Sequence, residues 1–359
     1  MVTCYAASRA GVLVVTDAGA SDAESDEGPA STGPTLTDHE VECLDAASAV
    51  PDRVFCGTFD AGLHRSTDAG RTWERVGSET VPESVTSVAV SPHDPDVVYA
   101  GTEPSAVYRS TDGGTTWEPL SDLTVLPSAS EWSFPPRPDT HHVRWIEVDP
   151  ADPDHLYVAV EAGALIQTHD GGETWEERAP RMRRDTHSIA IHPEAPGRVR
   201  AAAGDGYAES DDGGETWTFP QDGLKHRYCW NVAIDPGDPD RVLLSAAASA
   251  QRAHTPDAAA SYLYRRTGSA PATGDGSDAW ERLDDVAVPS GEGVLRQTLA
   301  AGVAAGDLFV LTDRGLFRTR DGGQSFTELD VAWPEAFEGE TTHGLAVLPD
   351  PRYTVGRTS

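Results

Sequence analysis

The sequence predicts an all-β protein assembled from one repeated four-stranded unit, and three observations support this prediction. A short motif recurs along the chain, strand-like runs flank every copy, and neighbouring copies are separated by similar lengths of chain. The 359 residues are 38 % hydrophobic and 24 % charged, which is typical of a globular protein. We therefore interpret residues 1–359 as a single domain built from repeats.

The motif has the form S/T-x-D-x-G-x-T/S-W/F and occurs five times. The copies are Ser66–Trp73, Ser110–Trp117, Thr168–Trp175, Ser210–Trp217 and Thr319–Phe326. A sixth, degenerate copy extends from Asp275 to Trp280. Each copy lies between two strand-like runs, which predicts a β-hairpin turn.

Each recurring position of the motif has a physical role in such a turn. The aspartate can accept hydrogen bonds from the amides of its own turn, and the glycines supply positive φ. The aromatic side chain is a large apolar wedge that can pack one unit on the next. The structural aspartates are Asp68, Asp112, Asp170, Asp212 and Asp321. The aromatic residues are Trp73, Trp117, Trp175, Trp217 and Phe326.

This motif is the Asp-box, or BNR repeat. The chain resembles the β-propellers of sialidases, sortilin-type receptors, some xyloglucanases and photosystem II assembly factors. The resemblance covers nearly the whole chain. It implies four-stranded blades with the boxes on the rim of the propeller, away from any active site.

The spacing of the boxes predicts seven blades. Their aspartates are 44, 58, 42 and 109 residues apart, and a blade of about 42–46 residues fits the four-stranded unit of a propeller. The longest interval therefore holds two blades. The N-terminal runs TCYAAS and GVLVVT match the second and third strands of a unit, and the C-terminal HGLAVLPD matches a first strand. Both ends would then form one composite blade that closes the ring, and six blades is the alternative.

The predicted blade boundaries follow from this alignment. They are approximately 1–38 with 342–349, then 39–80, 81–122, 142–180, 185–222, 227–285 and 292–330. In the composite blade, residues 17–38 form an acidic, low-complexity loop where other units have a box.

The charge balance is strongly acidic. The formal net charge is −32, and Lys225 is the single lysine among 27 basic residues. Such a surface repels itself unless salt screens it, so the composition is typical of a cytoplasmic protein from a halophilic archaeon. The alternative is an acidic surface that recognises a basic ligand.

The cysteines and the hydrophobic runs indicate the cellular compartment that we expect for the protein. Cys4, Cys43, Cys56 and Cys229 lie in strand-like runs without C-x-x-C spacing and are typical of small core residues in a reducing compartment, although a Cys43–Cys56 disulfide stays open. The N-terminus lacks the pattern of a signal peptide, and no run is long enough to span a membrane. We expect a cytoplasmic monomer with no nucleic-acid or membrane partner.

The mouth of the central channel is the predicted site. The residues just before the inner strands should ring it, and these are Glu40, Thr86, Arg144, His187, Trp230, Arg296 and His343. The insertions 121–141, 247–260 and 331–341 lie on the same face and are long enough to be functional. The predicted ligand-binding residues are Arg144, His187, Trp230, Arg296, His343, His142, Arg184 and Arg227.

An arginine-rich funnel of this kind favours a carboxylate, phosphate or sulfate group. The alternative is that the arginines pair with surface carboxylates and the histidines bond to the backbone. We predict no cofactor. We also predict no metal site, because His141, His142, His187 and His343 come from different blades without zinc-type spacing.

Two functions remain open at this point. The first is a non-catalytic binding or scaffold propeller for a protein or an anionic ligand, similar to the photosystem assembly factors. The second is a sialidase-like glycoside hydrolase acting on a carbohydrate, for which two carboxylates are required. Candidate carboxylates are Asp60, Glu103, Glu161, Asp205, Asp313 and the inner-strand Glu147.

Several departures from the sialidases favour the binding function. Sialidases have an R-I-P motif near the start, a Tyr–Glu nucleophile pair and an arginine triad that binds the substrate carboxylate. This chain has no R-I-P motif, and Tyr228 has no evident glutamate partner. Only Arg144 and Arg296 are candidates for the arginine triad. Seven blades are counted where sialidases have six, and xyloglucanase-like enzymes use two propellers where this chain has length for one.

Overall fold

The computed structural model describes residues 1–17, 29–177, 179–268 and 279–350. They form seven antiparallel sheets, each the blade of a β-propeller. The first strand of every blade contacts the first strands of the two neighbouring blades, so these inner strands make a closed ring around a central channel. The predicted seven-bladed, all-β fold is confirmed, and the six-bladed alternative is wrong.

The first half of the chain builds blades 1 to 4. Blade 1 begins with β1 (Val2–Ser8), β2 (Gly11–Asp17) and β3 (Ala30–Thr35). Blade 2 contains β4 (Val41–Ala46), β5 (Val54–Thr58), β6 (Gly62–Ser66) and β7 (Glu74–Val76). Blade 3 contains β8 (Val85–Val90), β9 (Val98–Thr102), β10 (Val107–Ser110) and β11 (Glu118–Pro119). Two short 3-10 helices, Leu123–Val125 and Pro127–Glu131, precede blade 4, which has β12 (Val143–Val148), β13 (Leu156–Val160) and β14 (Ala164–Thr168).

The second half builds blades 5 to 7 and completes blade 1. Blade 5 has β15 (Thr186–His192), β16 (Ala195–Ala203) and β17 (Gly206–Ser210). Blade 6 has β18 (Tyr228–Asp235), β19 (Asp238–Ala247), helix α1 (Ala250–His254), a 3-10 turn Pro256–Ala258, β20 (Ala260–Thr267), β21 (Glu281–Arg282) and β22 (Gly291–Glu292). Blade 7 has β23 (Thr298–Ala301), β24 (Leu308–Thr312), β25 (Gly315–Thr319) and β26 (Thr327–Glu328), followed by a 3-10 turn Glu335–Phe337 and β27 (Thr342–Pro349).

The chain ends close the ring as the sequence predicts. Strand β27 pairs with β1 in antiparallel register from Val2–Pro349 to Ser8–Thr342, and blade 1 has the order β27-β1-β2-β3. The N-terminal strands are therefore the second and third of their blade. The pairing leaves no open sheet edge between first and last strands. The prediction of a loop over residues 17–38 is wrong for Ala30–Thr35, which pair with β2 as the fourth strand of blade 1. The acidic segment 18–28 lies outside the described residues.

The boxes form the predicted turns after the third strands. In blades 4 and 5 the segment after the box makes a single bridge to the third strand instead of a fourth strand. In the second box, Asp112 Oδ1 accepts hydrogen bonds from the backbone amides of Thr115 and Thr116 at 2.9 and 2.8 Å. The Thr116 hydroxyl donates to Asp112 Oδ2 at 2.7 Å. Gly113 and Gly114 have φ of 69° and 84°, a region that favours glycine.

The box aromatic residues pack each blade on the one before it. Trp117 of blade 3 lies in one apolar cluster with Phe55 and Val76 of blade 2. Phe326 of blade 7 likewise contacts the core of blade 6. Residues 275–278 of the degenerate copy lie outside the described residues, but its Trp280 is buried and meets Tyr207 of blade 5 edge-on, with ring centres 4.8 Å apart.

All four cysteines are buried and free, so the Cys43–Cys56 disulfide is absent. Within the described parts of the chain, none of the helices is both long and apolar enough to cross a membrane.

Candidate functional site

The central channel contains a cavity of about 580 Å³ between the inner strands. All seven blades contribute to its wall. Most of the wall consists of small or branched apolar residues such as Ala89, Val232 and Ala346. Arg144, Trp230 and His343 line the end at which the inner strands begin. Because the third strand of a blade runs parallel to the first, the boxes lie at the opposite end.

A recurring β-bulge places the polar side chains at this end. Six inner strands shift register at the same point, which leaves one residue of the strand without a partner on the second strand. The bulged residues are Glu42, Thr86, Arg144, His187, Trp230 and His343. A bulge bends its strand and re-aims a side chain, so the repeated shift explains why unlike residues meet at one place.

The bulge also corrects one position of the sequence alignment. Glu40, which the alignment assigned to the ring, lies before β4 and forms a half-exposed ion pair with Arg9. Glu42 occupies the ring position instead, because it is the residue at the bulge of β4. Blade 7 has no such register shift, and there Arg296 precedes the strand.

Two arginines meet on the ring of Trp230. The guanidinium carbon of Arg296 lies 3.8 Å from the ring centre, and that of Arg144 lies 4.6 Å from it. An indole face attracts cations, most strongly when the site is shielded from water. All three side chains are buried, so this one ring partly offsets the repulsion between two guanidinium groups.

Arg296 makes only neutral contacts among the described residues. Its Nε donates to His254 Nδ1 at 3.0 Å, its Nη1 donates to the carbonyl of Thr342, and its Nη2 lies 3.3 Å from His343 Nε2. Burial and the nearby Arg144 lower the pKa of Arg296 to about 9. The charge is therefore held in a site that disfavours it.

The contacts of Arg296 fix the state of His254. A guanidinium only donates, so Nδ1 of His254 accepts, and Nε2 carries the proton that is shared with the Tyr228 hydroxyl at 3.0 Å. Burial and Arg296 lower the pKa of His254 to about 2. His254 is thus neutral, and it comes from the 247–260 insertion.

Arg144 has one distant carboxylate partner. Its Nε lies 3.8 Å from Glu161 Oε2, and Nε makes no hydrogen bond. A buried guanidinium without full hydrogen bonding is uncommon, because an unmade bond to a charged group costs more than one to a neutral group.

Carboxylates alternate with these cations around the mouth. His343 Nδ1 lies 3.3 Å from Glu42, and His142 Nε2 lies 3.1 Å from Glu161. Burial raises the pKa of Glu42, but His343 and the two channel arginines outweigh it and lower that pKa to about 2. The pKa of Glu161 is likewise held well below its usual range, chiefly by His142 against the effect of burial.

The other predicted site residues lie apart from this cluster. Arg184 is half-exposed and contacts Glu131, donating to its carbonyl at 2.9 Å and lying 3.4 Å from its carboxylate. Arg227 is exposed, and none of the contacts seen in the described residues joins it to the channel. Arg184 therefore pairs with a surface carboxylate, as the alternative interpretation of the arginines predicts, whereas Arg296 has no such partner among the described residues.

Two further carboxyl groups lie in the channel wall. Trp145 Nε1 donates to Glu147 Oε2 at 2.9 Å, and the backbone amide of Val90 donates to Asp45 Oδ2 at 2.7 Å. Burial raises the pKa of Glu147 to about 8 and that of Asp45 to about 6. Glu147 is three residues beyond Arg144 on β12, about 10 Å along the strand.

Comparisons with known proteins support the fold and leave the function open. The model of the BNR/Asp-box repeat matches residues 108–119, and no curated protein matches the chain. The GH74 xyloglucanase from Xanthomonas campestris is 19 % identical with a TM-score of 0.59, covering 80 % of this chain and 45 % of its own. YCF48 from Cyanidioschyzon merolae is 16 % identical with a TM-score of 0.56, covering 82 % of this chain and 86 % of its own.

A second YCF48 structure, bound to D1 peptide, is 17 % identical with a TM-score of 0.54, covering 80 % of this chain and 81 % of its own. This chain thus spans less than half of the xyloglucanase and most of YCF48. At these identities the likeness concerns the propeller fold.

Proposed function

We propose that this protein is a non-catalytic binding propeller whose channel mouth takes an anionic group of a ligand or protein partner. The observation that carries the proposal is Arg296, a buried cation whose contacts among the described residues include no carboxylate. A buried charge without a counter-ion is unfavourable, and a bound anion would compensate it.

The surrounding residues define the group that fits. Arg144 lines the cavity and has, among the described residues, one ion pair, the 3.8 Å contact with Glu161, so its guanidinium supplies a second cation for an oxyanion. Trp230 offers an apolar surface beside it. The ionised Glu42 and Glu161 balance the charges of the two arginines, which favours a singly charged carboxylate over a doubly charged phosphate.

A peptide is the partner that we favour. The cavity of about 580 Å³ has room for the C-terminal end of a peptide. The structural likeness to YCF48 bound to D1 peptide is a parallel at the level of fold.

The experiment uses fluorescent pools of short random peptides that carry either a free C-terminal carboxylate or a C-terminal amide. Fluorescence anisotropy in constant high chloride should show binding of the carboxylate pool, about tenfold weaker binding in Arg144→Gln, and unchanged binding in Arg183→Gln. Arg183 is the matched control, because it is paired with Asp205 at 2.9 Å. Equal binding of both pools, or no effect of Arg144→Gln, would refute the proposal.

A glycoside hydrolase is the second candidate, and Glu147 is the observation that favours it. A carboxyl that keeps its proton near neutral pH can act as a general acid, and the structural neighbours include GH74 enzymes. Hydrolysis of xyloglucan oligosaccharides or nitrophenyl glycosides in high salt, lost in Glu147→Gln and retained in the exposed Glu173→Gln, would establish it. No hydrolysis beyond the buffer rate would remove it.

We further propose that the protein works as a monomer in a salt-rich, reducing cytoplasm. The net charge of −32, the single lysine and the four free buried cysteines support this setting.

A further inference from the structure

A second polar cluster lies between blades 4 and 5 at the channel mouth. Glu161 directly follows β13, Asp185 directly precedes β15, and His187 is the bulged residue of β15. One potential ligand atom from each of the three side chains lies within 4.8 Å of the other two. Glu161 also belongs to the channel mouth, where it lies 3.8 Å from Arg144 Nε, but the metal proposal uses no contact of Arg296.

The orientation of His187 is set by the next blade. The ring is fully buried, and Nδ1 lies 2.7 Å from the carbonyl oxygen of Cys229. A carbonyl oxygen only accepts hydrogen bonds, so Nδ1 carries a proton and donates it. In the neutral ring, Nε2 then presents a lone pair.

That lone pair faces carboxylates and has no hydrogen bond. Nε2 of His187 lies 3.5 Å from Asp185 Oδ1 and is a buried atom without a hydrogen-bond partner. Lone pairs of nitrogen and oxygen that face each other repel, unless a positive species lies between them. Either a second ring proton or a metal ion meets this need.

We propose that Glu161, Asp185 and His187 bind one divalent transition-metal ion, with Zn²⁺ or Mn²⁺ as the fitting ions. One imidazole nitrogen with two carboxylates suits these ions better than Ca²⁺ or Mg²⁺, which prefer oxygen ligands alone. Three protein ligands leave at least one coordination position for water or a ligand oxygen.

The neighbouring contacts hold the three ligands in place. The Cys229 carbonyl accepts the Nδ1–H of His187 and so orients the imidazole. A backbone carbonyl is a common hydrogen-bond partner for the second nitrogen of a metal-binding histidine. The backbone amide of Ala162 donates to Asp185 Oδ1 at 2.9 Å, and His142 bonds Glu161 at 3.1 Å. Ligand atoms around such an ion lie at about 2.0–2.2 Å from it, so the three atoms, which lie within 4.8 Å of one another, would draw closer when the ion binds.

The test measures Zn²⁺ binding to the full chain by calorimetry after removal of metals with a chelator. Excess Mg²⁺ is included because the 59 acidic residues bind cations non-specifically. The expected result is one Zn²⁺ per chain, weakened at least tenfold in Asp185→Asn and in Glu161→Gln. Asp205→Asn is the matched control on a neighbouring loop and should bind as the wild type does.

A second measurement covers the competing arrangement, in which His187 carries two protons. With ¹⁵N-labelled histidine, a limiting Zn²⁺ concentration should shift the Nε2 resonance of His187 in the wild type and shift it clearly less in Asp185→Asn. The proposal fails if one equivalent of Zn²⁺ still binds tightly to either carboxylate variant, if no Zn²⁺ binds above the Mg²⁺ background, or if the His187 resonance does not respond.

Discussion

The guanidinium of Arg296 lies 3.8 Å from the centre of the Trp230 ring, and both side chains are buried. The two residues come from adjacent blades, 7 and 6, so their contact joins neighbouring inner strands at the channel mouth. Since Arg144 also lies over the same ring, Trp230 holds the two cations that the proposed function requires.

Replacement of Trp230 should therefore affect both stability and binding. Trp230→Ala removes a buried ring and two cation–π contacts, so we expect the free energy of unfolding to fall by about 3–5 kcal/mol. Urea denaturation in high salt measures this. Trp73→Ala is the control, because Trp73 is only half-buried and should lose clearly less; equal losses would contradict a special role for Trp230.

The Asp-boxes should make the fold sensitive to acid. Hydrogen bonds from Thr116 and neighbouring groups lower the pKa of Asp112 to about 2, and Asp68, Asp170 and Asp321 behave alike. A carboxyl whose pKa is lower in the folded state stabilises the fold above its unfolded pKa of about 3.9. This contribution is lost as the pH falls from about 4 through 2.

Urea denaturation between pH 5 and pH 2 measures the effect. Asp112→Asn should be less stable than the wild type at pH 5 and should lose less on acidification. A variant with the same pH slope as the wild type would show that the box aspartate is not the titrating group.

The contrast between boxes and channel shows what the sequence can predict. A box makes its bonds within eight residues, so the pattern S110-T-D-G-G-T-T-W117 contains the interactions that it forms. Repetition of that pattern then determines the blade count. The pairing of chain ends was predictable for the same reason, since HGLAVLPD matches a first strand and lacks the rest of its blade.

The site depends on relationships that the pattern does not contain. The ring position of Glu42 depends on a bulge whose register appears only once the strands pair. Arg184 differs from Arg296 because Glu131, in the 121–141 insertion, folds next to the first and not the second. His254 reaches Arg296 because α1 places it over the mouth, and its position in a long insertion was the only sequence signal.

Glu147 should oppose stability at alkaline pH. Burial raises its pKa to about 8, whereas the unfolded value is about 4.3. The folded state therefore holds a proton that the unfolded state releases, and stability falls as the pH rises from about 4 through 8.

Glu147→Gln removes this titration and keeps an acceptor for Trp145. The variant should be about 1–3 kcal/mol more stable than the wild type at pH 9, and the gain should shrink at pH 5. Thermal melts at both values measure it, with exposed Glu173→Gln as the control. A gain that is equal at the two pH values would point to packing instead of charge.

Low salt should destabilise the protein. With a net charge of −32, repulsion between surface carboxylates grows as the screening length rises from about 3 Å at 1 M to 10 Å at 0.1 M salt. The melting temperature should rise with KCl over this range, and charge reversal at five exposed glutamates should flatten the dependence. A melting temperature that does not change with KCl would contradict adaptation to salt.

The closure between β27 and β1 should be essential for the ring. Ala346 lies in the middle of β27 opposite Tyr5. Ala346→Pro removes a ladder hydrogen bond to β1 and fixes φ in the innermost strand of blade 1. We expect a loss of about 3 kcal/mol or more, while Ala346→Gly, which keeps the amide, should lose about 1 kcal/mol. Urea denaturation separates the two variants, and size-exclusion chromatography should show aggregation of the proline variant, because an unpaired β1 edge can pair with another chain. Equal stability of the two variants would mean that the ring does not depend on this strand pair.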